Sequence, residues 1–216
     1  MINDKHIAQL EASKISVACA AARGYESVDD PQRLRDLGFS KTQAVLVPAL
    51  LIPQRDKRGE IWGYVSRPDE PGKGRQKYET CIGQPNHLDV PLGIGEQLDD
   101  PAVPLVVTEG SKKADAGAEA GLCMVSINGV YGWRGKNAHG AKTALADWEE
   151  IALDGREVVL AFDSDVATKK PVKQALGRFA QFLENRGAKV LYLHLPHNGD
   201  DKTRARRLPG RRPYRR

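Results

Sequence analysis

Few residue types in this chain announce a chemistry on their own. Cysteine is scarce: Cys19, Cys81 and Cys123 lie far apart and form no C-x-x-C pair. That spacing excludes a readable zinc ribbon or disulfide framework and predicts three reduced thiols that pack instead of react. Long apolar runs are missing too. The longest, Ala44 to Pro53, covers ten residues, whereas a membrane-spanning helix needs ~20. The N-terminus is polar where a secretory signal would be charged and then apolar. Together these absences predict a soluble, cytoplasmic protein with no membrane partner.

A broad excess of positive charge is also lacking, despite a formal net charge of +5 and a pI near 9.1. Arg204 to Arg216 holds seven arginines and no acid, and the remainder carries 26 basic against 28 acidic residues. Any contact with nucleic acid must therefore come from local patches. What is present is ordinary globular material, 40% hydrophobic and 28% charged over 216 residues, enough for one sizeable core or two small ones.

The apolar spacing from Lys5 to Gly24 predicts short helices broken near Ser13, and a further helical turn is expected over Pro31 to Leu37, stopped by Gly38. In AVLVPALLIPQRDKRGEIWGYVSR two β-rich runs flank the charged turn Asp56 to Gly59, which predicts a hairpin or meander. Lys73 to Leu98 reads as loop with short extended pieces. Past Asp99, Asp100 and Pro101 the rhythm changes. The strand LVVTEG, a helix over Lys112 to Ala120, the strand CMVSI, a helix over Ala141 to Ala152, the strand EVVLAFD, a helix over Pro171 to Arg186 and the strand KVLYLHL follow in turn. Such alternation predicts an α/β domain with a parallel sheet covered by helices. The expected divisions are a helical segment over 1–40, a β-rich α+β subdomain over 41–100, an α/β domain over 101–203 and a basic tail over 204–216.

Ligand sites of open parallel sheets lie beyond the carboxyl ends of the strands, and two strands here end in acids. LVVTEG ends at Glu109, and VVLAFDSD carries Asp163 and Asp165. Residues two apart on an extended segment point to one side, so Asp163 and Asp165 can converge on a single point. Clustered carboxylates repel one another unless a cation compensates, and oxygen ligands suit a hard divalent ion such as Mg²⁺. Each piece has an ordinary alternative, since aspartate after a strand often caps a helix and Glu-Gly is a common turn. Gly135 to Thr143, GKNAHGAKT, approaches a phosphate loop, but Ala141 separates the second glycine from the lysine, so it reads as a glycine-rich surface loop.

The order strand–Glu109-Gly, α/β segment, strand–Asp163-Ser-Asp165 resembles the TOPRIM signature of primases and topoisomerases. The stretch TEGSKKADAGAEAG further resembles a TOPRIM-like family of uncharacterised domains found in phage, plasmid and island primases and primase–helicases. Upstream, the hairpin segment followed by KGRQKYET is similar to the N-terminal subdomain of the bacterial-type primase core, so the likeness covers about Ala44 to Pro196. It implies a TOPRIM-like parallel sheet preceded by a small primase-like subdomain, with Mg²⁺ or Mn²⁺ held by Glu109, Asp163 and Asp165 as catalytic ligands. It implies that Arg67, Lys73, Lys77 and Tyr78 line a basic path for template or nucleotide, with Lys112 and Lys113 near the phosphates. A solvated lysine face is the plainer reading of those cations. The implied activity is primer synthesis, or an accessory role in it, during replication of a mobile element. Single-stranded DNA, nucleotides and a replicative helicase would be the partners. A metal-dependent nuclease and a non-catalytic binding module are the alternatives.

The chain departs from that pattern in two places. No cysteine-bearing zinc module is encoded, so template grip would need another domain or chain. After HNGDDKT it continues RARRLPGRRPYRR, where relatives read like G-L-D-D-Y-L-A. One choice of codons for R-A-R-R-L-P-G spells G-L-D-D-Y-L when shifted by a base, so the tail is either an out-of-frame product or a basic arm for phosphate backbone.

Overall fold

The computed structural model describes residues 1–163 and 170–195, with the backbone alone at Asp163, His194 and Leu195. The helices α1 (Asp4–Ala12) and α2 (Val17–Arg23) open the chain, and the break falls at Ser13, as the apolar spacing predicts. Each is started by a side chain accepting from a backbone amide: Asn3 takes His6 N and Ser16 takes Cys19 N. After strand β1 (Glu26–Val28) come α3 (Pro31–Asp36), with proline in its first turn, and α4 (Lys41–Ala44), started by a Ser40/Gln43 capping box.

β2 (Ala49–Arg55) and β3 (Ile61–Pro68) form the expected hairpin, and with β1 and β4 (Glu79–Thr80) make an antiparallel sheet of order β1-β2-β3-β4. Asp56 shapes its turn by accepting from the amides of Arg58 and Glu60 at 2.9 Å each. β2 reads as an unbroken apolar run because both its faces are covered. Leu50 and Ile52 pack with Leu10, Ile15, Ala20 and Tyr25, while Leu51 packs with Leu34, Phe39 and Ala44. The first helices thus share a core with this sheet.

The second layer is a four-stranded, all-parallel sheet of order β10-β9-β5-β6, as the strand–helix alternation implies. Its strands are β5 (Leu105–Glu109), β6 (Met124–Ile127), β9 (Glu157–Asp163) and β10 (Lys189–Leu195). Helix α5 (Ser111–Glu119) connects β5 to β6, and α6 (Lys170–Glu184) adds Ala175, Leu176, Phe179, Ala180 and Leu183 to the main core.

The helix expected over Ala141 to Ala152 does not form. In its place stand the hairpin strands β7 (Arg134–Lys136) and β8 (Lys142–Ala144), followed by a 3₁₀ turn over Ala146–Glu150. Tertiary anchoring overrides the local helix pattern here. The carbonyl of Trp133 accepts from Leu145 N at 3.2 Å and from Trp148 Nε1 at 2.9 Å, which draws Leu145 back beside Trp133 in antiparallel fashion. Both indoles then pack on Phe179 and Phe182 of α6 at centroid distances of 5.1–6.0 Å.

One buried ionic network joins the two layers. Arg23, at the end of α2, donates from Nη1 to Val90 O at 2.9 Å, from Nη2 to Asp89, and from Nε to Asp115 of α5 at 3.0 Å. All three charged side chains are 1% exposed. Tyr25 Oη donates to Asp115 at 2.6 Å. Asp89 also accepts from Arg55 N at 2.8 Å, while its own backbone pairs with Ser126 of β6.

Arg23 is the cation in contact with both carboxylates, so its removal strands two buried acids. Arg23→Met is expected to cost about 3–5 kcal/mol of stability in urea unfolding. Burial pushes the Asp115 carboxyl up to about 6 from 3.8, with Arg23 opposing. Because the folded value lies above the unfolded one, protonation favours the folded state. That contribution is full below about 4 and is lost as the pH rises through about 6. Unfolding measured across that window should show Asp115→Asn gaining stability relative to the wild-type chain with rising pH.

Candidate functional site

Glu109 and Asp163 end adjacent parallel strands on the same edge of the sheet. The pairing Thr108↔Ala161 sets Glu109 level with Phe162, one residue short of Asp163, and on its other side Glu109 pairs with Ile127. Strand β9 is inner, flanked by β5 and β10, so Asp163 emerges beside β5 at the carboxyl end of the sheet. Thr108 turns its hydroxyl inward to Ala161 O at 2.8 Å, and the half-buried Glu109 is the next residue on the strand. Gly110 has φ +87°, a left-handed conformation that a side chain would strain. It allows α5 to start immediately after Glu109. Asp165 and the Asp163 side chain lie outside the described residues, and among those described no three His, Cys, Asp or Glu side chains gather as a metal site.

Four of the six predicted binding residues come together. The register Ser66↔Glu79 sets Arg67 level with Tyr78, and the guanidinium lies 6.0 Å from the ring centroid. Gln43 fixes that short strand by donating to Glu79 at 2.9 Å and to Thr80 O at 2.7 Å. Lys112, in the first turn of α5, approaches from the other layer and donates to Gln9 O of α1 at 3.4 Å. Burial, then the charges of Arg67 and Lys77, push its ammonium down to about 8 from 10.5. Tyr78 is shifted upward by burial, against the opposing effect of Arg67. Arg67 Nε is buried without a hydrogen-bond partner among the described residues, an unsatisfied donor beside a group of mutually repelling cations. Lys113 follows Lys112 on α5, partly buried, and Lys73 stands exposed on the loop before Tyr78.

The arrangement therefore places a cation cluster three residues past a carboxylate-tipped strand, at the seam of two layers. Cations forced together at the cost of a lowered lysine pKa suit a polyanion, because phosphates would relieve their repulsion.

Residues 96–203 match a family described as a domain of unknown function, DUF3854. The chain belongs to that family. An uncharacterized protein of Picosynechococcus sp. (strain ATCC 27264 / PCC 7002 / PR-6) is 35% identical over a 102-residue alignment that covers 43% of this chain and 10% of that protein. Among solved structures, the zinc-binding and RNA polymerase domains of Aquifex aeolicus primase superpose with a TM-score of 0.60 at 13% identity, covering 92% of this chain and 51% of that one. The DnaG primase catalytic domain bound to ssDNA gives 0.56 at 16% identity, covering 91% and 65%. The chain thus spans a tenth of its sequence relative and about half to two thirds of the primase structures it matches. At such identities the likeness is one of fold: this DUF3854 chain has the architecture of a bacterial primase catalytic core, as TEGSKKADAGAEAG and the upstream hairpin implied.

Gln9, whose carbonyl accepts from Lys112, was not readable from sequence because it lies 103 residues away. The sequence reading did name every cation in the cluster. Lys112 should titrate near 8, so a polyanion should bind less well as the pH rises through that value. Adding oligonucleotide should move its Nζ midpoint upward in lysine-selective NMR.

Proposed function

We propose that this chain is a Mg²⁺- or Mn²⁺-dependent, primase-like nucleic-acid protein that makes primers on single-stranded DNA, or assists in making them, during replication of a mobile element. The observation that carries the reading is the juxtaposition of two acid-tipped parallel strands with the Arg67–Lys77–Lys112 cluster. In this reading residues 41–100 act as the template-gripping subdomain, 101–203 as the metal-binding one, and 1–40 as a helical segment supporting both.

A hard divalent ion fits the donor set, which is oxygen throughout: Glu109, Asp163 and Asp165 would hold it. Bound there, the ion would neutralise nucleotide phosphates and stabilise charge that develops during phosphoryl transfer. The chain's own contribution is binding and orientation. Arg67, Lys77 and Lys112 engage phosphates, with Lys73 and Lys113 extending the path and Tyr78 supporting the Arg67 guanidinium from below. Lys112, whose ammonium is held near 8, is stabilised in its charged form once a phosphate arrives. No side-chain nucleophile is needed, since a primer 3′-hydroxyl attacks the α-phosphorus of a nucleoside triphosphate, loses its proton to solvent and displaces pyrophosphate. Single-stranded DNA and nucleotides are the ligands, and a replicative helicase on another chain or domain is the natural partner. Similar solved structures support this reading, among them a DnaG primase catalytic domain bound to ssDNA.

Primer synthesis on a single-stranded template by the full chain should fall about a hundredfold or more in Asp163→Ala and in Glu109→Gln. Calorimetric Mg²⁺ binding should vanish in the same variants. Template cleavage without added nucleotides would instead place the protein among metal-dependent nucleases. Activity untouched by both substitutions would mark a non-catalytic binding module.

A further inference from the structure

The hairpin that replaces the expected helix touches the core only at its base, through Ala144. Beyond Trp133 it projects outward, with every residue from Lys136 to Thr143 exposed. A two-stranded ribbon with no apolar face is marginal in isolation, yet this one is built with care. Asn137 Oδ1 accepts from the amides of His139 and Ala141 at 3.0 and 2.9 Å, and Asn137 N donates to Ala141 O at 2.9 Å. At its base Trp133 is locked against α6, and Arg134 lies over that indole at 5.4 Å. Gly132 admits the entry: a Cβ there would stand 2.6 Å from backbone atoms of Asn128.

The hairpin forms one wall of a cleft of about 990 Å³ whose other wall is the loop 83–87. Its charge is predominantly positive, with Glu149 the acid among its lining residues. No acidic residue occurs between Glu119 and Asp147, and Arg134, Lys136 and Lys142 all line the space. Arg186 at the far end is paired with Glu149. Aromatic surface is interleaved with these cations. Tyr131 is 48% exposed, and His87 is held through Nδ1 by Asp147 at 3.0 Å and packed 5.0 Å from Trp62. Tyr131 Oη donates to Pro171 O, at the start of α6 and eight residues past Asp163 in sequence, so the cleft opens on the carboxyl-end side of the sheet.

We infer that this cleft is a second nucleic-acid site, a track for a single strand whose phosphates meet Arg134, Lys136 and Lys142 and whose bases pack on Tyr131 and His87. It is separate from the Arg67–Lys77–Lys112 cluster and rests on the reading that the protein handles nucleic acid. Cations on a ribbon with aromatic faces beside them are what a sequence-tolerant single-strand binder needs: charge for the backbone and planar surface for the bases. Phosphates engaged there would be held by a rigid element, since the hairpin's base is locked into the α6 core.

The test is fluorescence anisotropy of a labelled oligothymidylate with the full chain over a salt series. Lys136 and Lys142 are exposed, so Lys136→Ala/Lys142→Ala should melt as the wild type does. It should bind the strand about tenfold more weakly, with a log–log salt slope shallower by about 1.4 for two lost phosphate contacts. The corresponding double arginine variant should retain binding. Unchanged affinity in the double alanine variant, with Arg67→Ala weakened, overturns the track and leaves the proposed function standing. The converse pattern keeps the track and removes the Arg67 cluster from strand binding. An equal loss for free ATP would make the cleft a nucleotide pocket, and an equal loss for a blunt duplex would make the hairpin a groove binder. Either outcome overturns the single-strand assignment.

Discussion

Everything in this molecule that faces across its two layers depends on Arg23. Its guanidinium ties the end of α2 to Asp89, which leads the chain into the parallel-sheet half, and to Asp115 on the helix that follows the Glu109 strand. A charge buried this deeply is costly unless paired, and once paired it tolerates little displacement. The network therefore acts less as a source of net stability than as a constraint on geometry. It sets where α5 lies against the first helices, and with α5 it sets the position of Lys112. Asp89 reinforces the constraint by pairing its backbone with Ser126, so the long loop from β4 is laid down as a bridge to β6.

That constraint explains how a chain with no net basic character outside its arginine tail assembles a concentrated positive surface. Arg67 and Lys77 come from the antiparallel half, Lys112 from the parallel half, and each alone would be a solvated side chain. Burial first, and then the charges of Arg67 and Lys77 beside it, lower the proton affinity of Lys112. A second concentration arises differently. The β7–β8 hairpin gathers its cations locally, by two antiparallel strands and a stretch without acids, and needs the rest of the fold only as an anchor. Arg156 shows the complementary case of a charge used for structure: fully buried, it donates to the carbonyls of Gln97, Leu98, Ala152 and Val103 and knits the segment before β5 to the segment before β9.

Much of the fold was legible in advance. The break at Ser13, the β2–β3 hairpin around Asp56 and the succession of parallel strands along the chain all follow from short-range patterns: caps, turn residues and the alternation of strand and helix periods. Glu109 at a strand end was readable for the same reason. The helix expected over Ala141 to Ala152 was not realised, because A-K-T-A-L-A-D-W-E-E satisfies a helical spacing while its two anchors, Trp133 and Trp148, are satisfied only by α6. Local propensity is a weak prior when two indoles have a ready pocket. The Arg23 network was invisible in sequence because its members stand 66 and 92 residues apart, and although Asp115 lies within TEGSKKADAGAEAG, nothing in that string points to Arg23.

The sequence by itself determined the class of this protein: a strand ending in Glu-Gly before a lysine-bearing helix, a later strand running into Asp-x-Asp, and family membership over residues 96–203. These are properties of contiguous segments, where hydrogen-bonding periodicity and turn chemistry act over a few residues. Tertiary structure alone decided which cations meet, which lysine is held near neutrality, and that an acid-free segment becomes a projecting ribbon instead of a helix. The reason is physical: burial and Coulomb interaction depend on distance in space, and only packing of the two layers around Arg23 turns remote residues into neighbours.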